Sequence, residues 1–85
     1  MWFVYILMCE DGSLYTGITT DLDRRFLEHK NKKGARYTRS HGVVSCVYSE
    51  QSASRSEALI REAEIKKLHR EDKLALAKSK ILKNS

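Results

Sequence analysis

Apolar and polar positions in the first part of the chain follow the spacing of β-strands. Residues 2–9 are apolar on both alternating faces, which predicts an inner strand covered on both sides. An Asp-Gly pair at 11–12 is a typical signal for a tight turn. Residues 14–19 are rich in aromatic and β-branched side chains and predict a second strand. The chain is therefore expected to open with a β-hairpin.

Helical spacing follows the hairpin. Thr20 or Asp21 can cap a helix over about 22–31, because both side chains accept hydrogen bonds from free backbone N–H groups. The segment 31–40 contains a glycine and several cations, which predicts a loop or an irregular short helix. Residues 43–48 have the composition of a third strand.

The last third of the chain is predicted to be helical. Ser54 and Glu57 have the spacing of a capping box, and a helix over about 55–69 follows them. Acidic residues in the first turn and apolar residues further on predict a final helix over about 71–81. The resulting order, β-β-α-β-α-α, predicts an α+β fold rather than a doubly wound parallel sheet.

The length of 85 residues suits a single domain, which we expect over residues 1–80 with a C-terminal tail at 81–85. No segment approaches the ~20 apolar residues needed to cross a bilayer, and the apolar start lacks the basic region of a signal peptide. We therefore expect a cytoplasmic protein with no membrane partner. Cys9 and Cys46 fall in predicted strands, where we expect small buried thiols rather than a zinc site.

Positive charge is concentrated in one block of the chain. The formal net charge is +5, yet residues 1–23 contain no Lys or Arg. Residues 24–39 contain seven Lys or Arg and a single acid. Such a block is typical of a surface that meets a polyanion, although a well-solvated face would have the same charge.

Two tyrosines are the first candidates for chemistry. Tyr5 and Tyr15 lie on the two hairpin strands, and a turn near 10–13 would place them roughly opposite each other, with both phenols on one face. A phenol has a pKa of about 10 and becomes a base only where nearby cations favour the phenolate. Taken alone, the pair fits equally well as core residues with locally bonded hydroxyls.

Three further side chains complete the candidate set. Arg25 and His29 are one helical turn apart, so a guanidinium able to grip a phosphate would lie beside an imidazole able to relay a proton. Glu62 falls within the apolar stripe of its helix, where a carboxylate must be paired or bind a cation. An ion pair with Lys66, one turn later, meets that need, and so does a Mg²⁺ ion.

The combined pattern resembles the GIY-YIG nuclease domain over about residues 2–70. Phe3-Val4-Tyr5 matches its first triplet and Tyr15-Thr16-Gly17 its second, and the later string R-E-A-E-I-K-K-L supports the match. The likeness is greatest to small stand-alone bacterial domains of the YhbQ type. The resemblance implies a small three-stranded antiparallel sheet flanked by helices. It also implies a site formed by Tyr5, Tyr15, Arg25, His29 and Glu62.

The activity that the resemblance implies is Mg²⁺-dependent endonucleolytic hydrolysis of structured or damaged DNA, as in DNA repair. Tyr5 or Tyr15 would activate or orient water, Arg25 and His29 would hold the phosphate, and Glu62 would bind the metal. The basic block would hold the nucleic-acid backbone, through Lys30, Lys32, Lys33, Arg36, Tyr37 and Arg39.

Two other interpretations remain open at this point. A nucleic-acid-binding module with weak or no catalysis would need the basic block but not a carboxylate beneath two tyrosines. A structural domain that meets an acidic protein would need only the charge. GIY-YIG nucleases usually act with a separate targeting domain, for which 85 residues leave no room. Targeting would then come from a partner protein, self-association or substrate shape, and the sequence leaves open RNA as well as DNA, and the oligomeric state.

Overall fold

A computed structural model describes the backbone of residues 1–84 and the side chains of residues 1–79. In chain order the elements are β1 (Trp2–Cys9), β2 (Leu14–Thr19), α1 (Leu22–Lys30), α2 (Arg36–His41), β3 (Val43–Ser52), α3 (Arg55–Lys66) and α4 (Arg70–Asn84). The predicted α+β order is confirmed, and the segment left open as a loop or short helix contains α2.

The centre of the fold is a three-stranded antiparallel sheet in the order β2-β1-β3, so β1 is the inner strand, as predicted. The hairpin closes between Cys9 and Ser13, where the N–H of Cys9 donates to the carbonyl of Ser13 at 2.9 Å. Gly12 has a φ of 83°, the left-handed conformation that a short hairpin loop places at its last position. This loop sets the register of the whole hairpin.

The third strand is longer than the sequence indicated. It continues to Ser52 rather than to residue 48, and its polar second half pairs with β1 from Trp2 to Tyr5. Those residues have little intrinsic strand preference. They are extended because the inner strand needs hydrogen-bond partners along its whole second edge.

Both predicted helix caps are present. The Asp21 carboxylate accepts from the N–H of Arg24 at 3.0 Å, and the Ser54 hydroxyl accepts from the N–H of Glu57 at 3.2 Å. The Glu57 carboxylate reaches back to the N–H of Ala53 at 3.1 Å, one residue before the cap.

The predicted break between the last two helices is misplaced. The first of them ends at Lys66 rather than 69. The N–H groups of Lys67 and Leu68 donate to carbonyls three residues earlier, which gives the helix a tight final turn. The last helix begins at residue 70 and continues to residue 84 rather than 81. No Gly or Pro marks this junction in the sequence. Among the described residues, none of the helices has the length and apolar composition that crossing a bilayer requires.

The two faces of the sheet carry separate clusters. We call the α3 side the apolar face; its buried residues are Val4, Ile6, Ala58 and Ile65. We call the α1 side the site face; its buried hydrophobic residues are Tyr5, Leu7, Cys9 and Val43. Because successive residues of a strand point to opposite sides, β1 contributes to both.

The two cysteines have different environments. Cys9 is buried, as predicted, but Cys46 is exposed, so the expectation of two buried thiols was wrong for the second. Cys46 lies on β3, an edge strand of the sheet, near the register shift between Ile6 and Leu7 of β1. An edge strand is covered less completely than an inner one, which accounts for the difference.

Candidate active site

Tyr5 and Tyr15 lie on neighbouring strands but not opposite each other. Tyr5 pairs with Gly17, and Tyr15 pairs with Leu7, so the two tyrosines are diagonal neighbours. The predicted placement, roughly opposite each other, is off by two residues, because counting outward from the closing pair of the loop brings Gly17 rather than Tyr15 opposite Tyr5. Both side chains nevertheless lie on the site face, with ring centroids 6.5 Å apart.

Gly17 provides the space that the Tyr5 hydroxyl occupies. A Cβ at this position would lie 2.5 Å from the Tyr5 oxygen, closer than non-bonded atoms approach, and 3.2 Å from the Tyr15 ring, which is a tight contact. Gly17 is itself buried in the middle of β2. The glycine of the second triplet is therefore explained by the close approach of a cross-strand side chain.

His29 is fully buried on α1 and connects Tyr5 to α2. Its Nε2 lies 2.8 Å from the Tyr5 hydroxyl, and its Nδ1 lies 2.7 Å from the Thr38 hydroxyl. The Thr38 hydroxyl donates its one proton to the Ala35 carbonyl at 2.9 Å, so it must accept from Nδ1–H of His29. The Nε2 atom then carries no proton and accepts from Tyr5. The chain of bonds thus fixes the imidazole tautomer.

Thr38 and Gly34 are positions in contact with His29 that the sequence did not reveal as part of the candidate site. Thr38 is fully buried, and a Cβ at Gly34 would clash with Nδ1 of His29. The glycine therefore lets the segment after α1 close over the imidazole. The only sequence signal was the presence of Gly34 among cations, which predicts a loop or an irregular short helix but not a contact with His29.

Burial raises the pKa of the Tyr5 hydroxyl to about 12 from its usual 10.0. A hydrogen bond from Arg25 and its charge act in the opposite direction, whereas the charges of Tyr15 and Glu62 raise the pKa further. The neighbouring cation does not outweigh the burial, so the phenol is protonated at neutral pH.

Burial also lowers the pKa of His29 from 6.5 to about 4, with a further contribution from the positive charge of Arg25 and an opposing one from Glu28. The imidazole is therefore neutral at pH 7. A neutral ring with an unprotonated Nε2 can take the proton that Tyr5 holds.

Arg25 lies at the rim of the site. Its side chain is 31% exposed, and its guanidinium forms an ion pair with Glu28 at 3.0 Å. Partial burial alone would lower its pKa, but hydrogen bonds and charge from Glu28 and Tyr5 outweigh this effect and raise it. A guanidinium has five N–H donors, so a partly exposed one beside Tyr5 retains donors for an anion.

Glu62 approaches the same region from α3. Its side chain is only 18% exposed and lies one turn from both Ala58 and Ile65, which are fully buried. One carboxylate oxygen is 3.4 Å from the ammonium of Lys66. The negative charge of Glu62 raises the pKa of Tyr5, so the carboxylate acts electrostatically on the tyrosine.

The cations of the basic block lie on α1, on α2 and on the segment between them. The exposed candidates for binding nucleic acid are Lys32, Lys33, Arg36, Tyr37 and Arg39, and Lys30 is exposed as well. Lys30 differs, because its ammonium donates to the carbonyl of Val43 at 3.0 Å and so ties α1 to β3. Tyr37 reaches the tyrosines directly, with its ring centroid 6.0 Å from that of Tyr15.

Comparison with known proteins assigns the family. Residues 1–75 match the family model of the GIY-YIG catalytic domain. A UPF0213 protein of Desulfotalea psychrophila is 54% identical over 79 residues, which cover 92% of this chain and 72% of the relative. A UPF0213 protein of Clostridium perfringens is 51% identical over 83 residues, which cover 98% and 89% of the two chains.

Two solved structures are similar as well. The solution NMR structure of the UPF0213 protein BH0048 from Bacillus halodurans is 47% identical, with a TM-score of 0.59 over 94% of this chain and 86% of that chain. The solution NMR structure of the protein EF2693 from E. faecalis is 41% identical, with a TM-score of 0.61 over 94% and 85%. The chain therefore belongs to the GIY-YIG domain family, among the small stand-alone bacterial UPF0213 proteins.

Proposed function

We propose that the protein is a Mg²⁺-dependent endonuclease that hydrolyses phosphodiester bonds in structured or damaged DNA in the cytoplasm. The observation that supports this most directly is the buried hydrogen bond from Tyr5 to His29 beside the partly exposed guanidinium of Arg25. His29 can accept a proton from the Tyr5 hydroxyl, and the cation of Arg25 lies next to that hydroxyl. Activation of a nucleophile beside a phosphate needs this combination.

In this proposal Tyr5 passes a proton from water to His29 and is not itself deprotonated beforehand. Its proton points to Nε2 of His29 and one lone pair of its oxygen accepts from Arg25, so the other lone pair remains available to a water molecule. As the water oxygen bonds to phosphorus, a water proton passes to the Tyr5 oxygen and the Tyr5 proton passes to His29. The bond from phosphorus to the leaving oxygen breaks, that oxygen takes a proton from solvent, and His29 later returns its proton to solvent.

Arg25 and Tyr15 hold the reacting groups. The Arg25 guanidinium would bind two phosphate oxygens and stabilise the charge that develops on them. The Tyr15 ring centroid lies 5.3 Å from that of His29, so its phenol forms a wall of the site and can orient the water.

Glu62 would hold the metal ion. Within the described residues no three His, Cys, Asp or Glu side chains form a metal-binding cluster, so a metal here has few protein ligands. Mg²⁺ fits a single carboxylate, because it keeps several waters and takes further ligands from substrate phosphate. When bound, it would supply positive charge that stabilises the leaving oxygen.

The exposed part of the basic block would bind the DNA backbone. Affinity should fall steeply between about 50 and 200 mM salt, because each neutralised phosphate releases counterions. Changing Lys32, Lys33 and Arg36 to Glu should remove most binding. A matched control changes Arg55, Lys67 and Lys78, which are also exposed, to Glu. Equal losses in the two triple variants would show that the block has no special role.

The direct test is incubation with structured, damaged and single-stranded DNA and RNA, with Mg²⁺ or with chelator. We expect cleavage in the presence of Mg²⁺ and none in the presence of chelator. Arg25→Ala should lower the rate by about 10²–10³, the usual effect of removing one donor to a developing charge. Glu62→Gln should abolish cleavage. Glu64→Gln is the matched control: Glu64 lies two residues further along α3 at an exposed position, and its replacement should leave cleavage intact. Both site variants should still bind DNA. Cleavage that survives both site variants would refute the proposed site.

A specific observation favours the alternative of a non-catalytic nucleic-acid-binding module. Lys66 already satisfies Glu62 without any metal, at 3.4 Å. In that case the parent protein would cut no substrate in the panel but would keep its salt-sensitive binding. Targeting by a partner protein or by self-association would then matter more than the site.

A further inference from the structure

A polar cleft adjoins the candidate active site. It has a volume of about 250 Å³ and lies between the β1–β2 loop, α2 and the start of α4. Its lining residues are Ser13, Leu14, Tyr37, Arg70 and Lys73. The volume is slightly below the 300–1,000 Å³ typical of small-molecule sites, so the cleft can hold one group of about the size of a nucleotide.

The charge of the cleft is positive and its cations are available. Among the described residues, neither Arg70 nor Lys73 forms an ion pair, and no acidic side chain lines the cleft. The Arg70 guanidinium donates to the carbonyl of Gly12, which anchors it against the hairpin loop. Its remaining N–H donors can still bind an anion such as a phosphate.

The aromatic wall of the cleft leads directly into the site. Tyr37 stacks on His41 with ring centroids 3.8 Å apart and an angle of 7° between the planes. His41 Nδ1 bonds the Tyr37 carbonyl at 2.8 Å, which holds this stack in place. Tyr37 is also 6.0 Å from Tyr15, which is 6.5 Å from Tyr5. A continuous row of rings therefore runs from the buried tyrosine to the surface.

We propose that this cleft binds an unpaired nucleotide next to the scissile phosphate, so that the substrate is single-stranded DNA or a single-stranded segment of it. The inference rests on the proposed function, since it assigns the substrate of that same site. Cations beside exposed aromatic rings are the usual means of binding single strands, because every base offers a face for stacking. Bases inside a duplex are already stacked and paired, and they cannot offer that face to Tyr37, the aromatic residue that lines the cleft.

The test uses the Glu62→Gln variant, which should bind DNA without cutting it. Fluorescence anisotropy at fixed salt measures its affinity for a single strand and for a duplex of the same sequence. Adding Arg70→Ala and Lys73→Ala should weaken single-strand binding about tenfold, through the loss of phosphate contacts. Adding Arg55→Ala and Lys78→Ala removes the same two residue types outside the cleft and should have a much smaller effect. Lys73→Ala alone is a second variant, which leaves the anchor of Arg70 intact.

Stacking is tested separately at Tyr37. Tyr37→Ala should weaken single-strand binding about five- to hundredfold, whereas Tyr37→Phe, which keeps the ring, should preserve it. Equal losses in the cleft and control variants, or a duplex bound as tightly as the single strand, would overturn the inference. If either of these results is found but the parent protein still cuts DNA, the proposed function stands and only the role of the cleft is refuted. If it cuts nothing but the cleft variants lose single-strand binding, the cleft inference stands and the nuclease proposal fails.

Discussion

The two faces of the sheet share the strand β1 but differ in what they bury. On the apolar face, Val4 and Ile6 pack against Ala58 and Ile65 in a cluster of aliphatic side chains. On the site face, Tyr5 of the same strand bonds to His29, which in turn bonds to Thr38, and both of these polar residues are fully buried. One face gains stability by removing apolar surface from water, and the other buries polar groups only because each finds a hydrogen-bond partner.

The difference shows how the apolar face can position a chemical site whose residues, apart from Glu62 of α3, lie on the other side of the sheet. A shift of β1 by one residue would turn Val4 and Ile6 towards the site and Tyr5 towards α3. The aliphatic contacts of Ile65 and Ala58 oppose such a shift. The register of the tyrosine is thus held from the opposite side of the sheet.

The largest effect on stability should come from Ile65→Ala on the apolar face. Truncating a fully buried isoleucine typically destabilises a protein by about 2–5 kcal/mol, because it loses burial and leaves a cavity. Arg25→Ala on the rim of the site face should cost less, about 1 kcal/mol, because it removes a hydrogen bond to Tyr5 and an ion pair with Glu28 from a partly exposed position. Urea denaturation measures both. Comparable losses would mean that the two faces do not divide their roles as described.

A pH dependence of stability should come from His29 on the site face. The unfolded chain protonates this ring below about pH 6.5, but the folded chain does so only near 4. Its contribution is therefore fully present above pH 6.5 and is lost as pH falls towards 4, by roughly 3 kcal/mol in all. His29→Gln should flatten this part of the stability profile, whereas His41→Gln, at a more exposed position, should not. Parallel profiles for the parent and His29→Gln would contradict the buried neutral imidazole.

Thr38→Val should break the hydrogen-bond chain behind Tyr5 with little change of shape. The Nδ1–H of His29 loses its acceptor, and an unsatisfied buried donor costs about 1–3 kcal/mol. Imidazole ¹⁵N shifts report the tautomer directly, and we expect a single Nδ1–H form in the parent and a mixture in the variant. Thr38→Ser keeps the hydroxyl and should restore the parent spectrum. An unchanged spectrum in Thr38→Val would show that Thr38 does not set the tautomer.

The smallest effect should come from Thr16 on the apolar face. Its hydroxyl is buried and, within the described part of the chain, has no hydrogen-bond partner. Thr16→Val replaces that hydroxyl by a methyl group of similar size, so stability should be unchanged or rise by up to about 1 kcal/mol. Thermal unfolding measures this difference. A clear loss of stability would reveal a partner for the hydroxyl and weaken the contrast between the faces.

The sequence predicted the features that depend on neighbouring residues. The caps at Asp21 and Ser54, the Asp-Gly turn and the apolar inner strand are all encoded within a few positions of each other, and they determine most of the fold. The end of α3 was misjudged, because the break after Lys66 has no local signal such as Gly or Pro. The polar end of β3 was missed for a related reason, since its strand conformation comes from pairing with β1.

The candidate site could be predicted only as a set of residues. Their arrangement depends on contacts between distant segments, such as Tyr5 with His29 and His29 with Thr38. The diagonal relation of Tyr5 and Tyr15 depends on the pair that closes the hairpin, which the sequence leaves uncertain by a residue or two. The neutral state of the imidazole depends on its burial, which becomes evident only once α2 covers the ring.

The hydrogen bonds from His29 into the segment after α1 limit how this protein can be re-engineered. That segment carries exposed cations on its outside, yet its inside contacts the imidazole at Gly34 and Thr38, and Thr38 is held by the Ala35 carbonyl. Replacing the whole segment in order to change binding would also remove the contacts that hold His29 in the candidate site. Grafting should therefore be confined to the outward positions 32, 33, 36 and 39, so that specificity changes while the scaffold beneath it is retained.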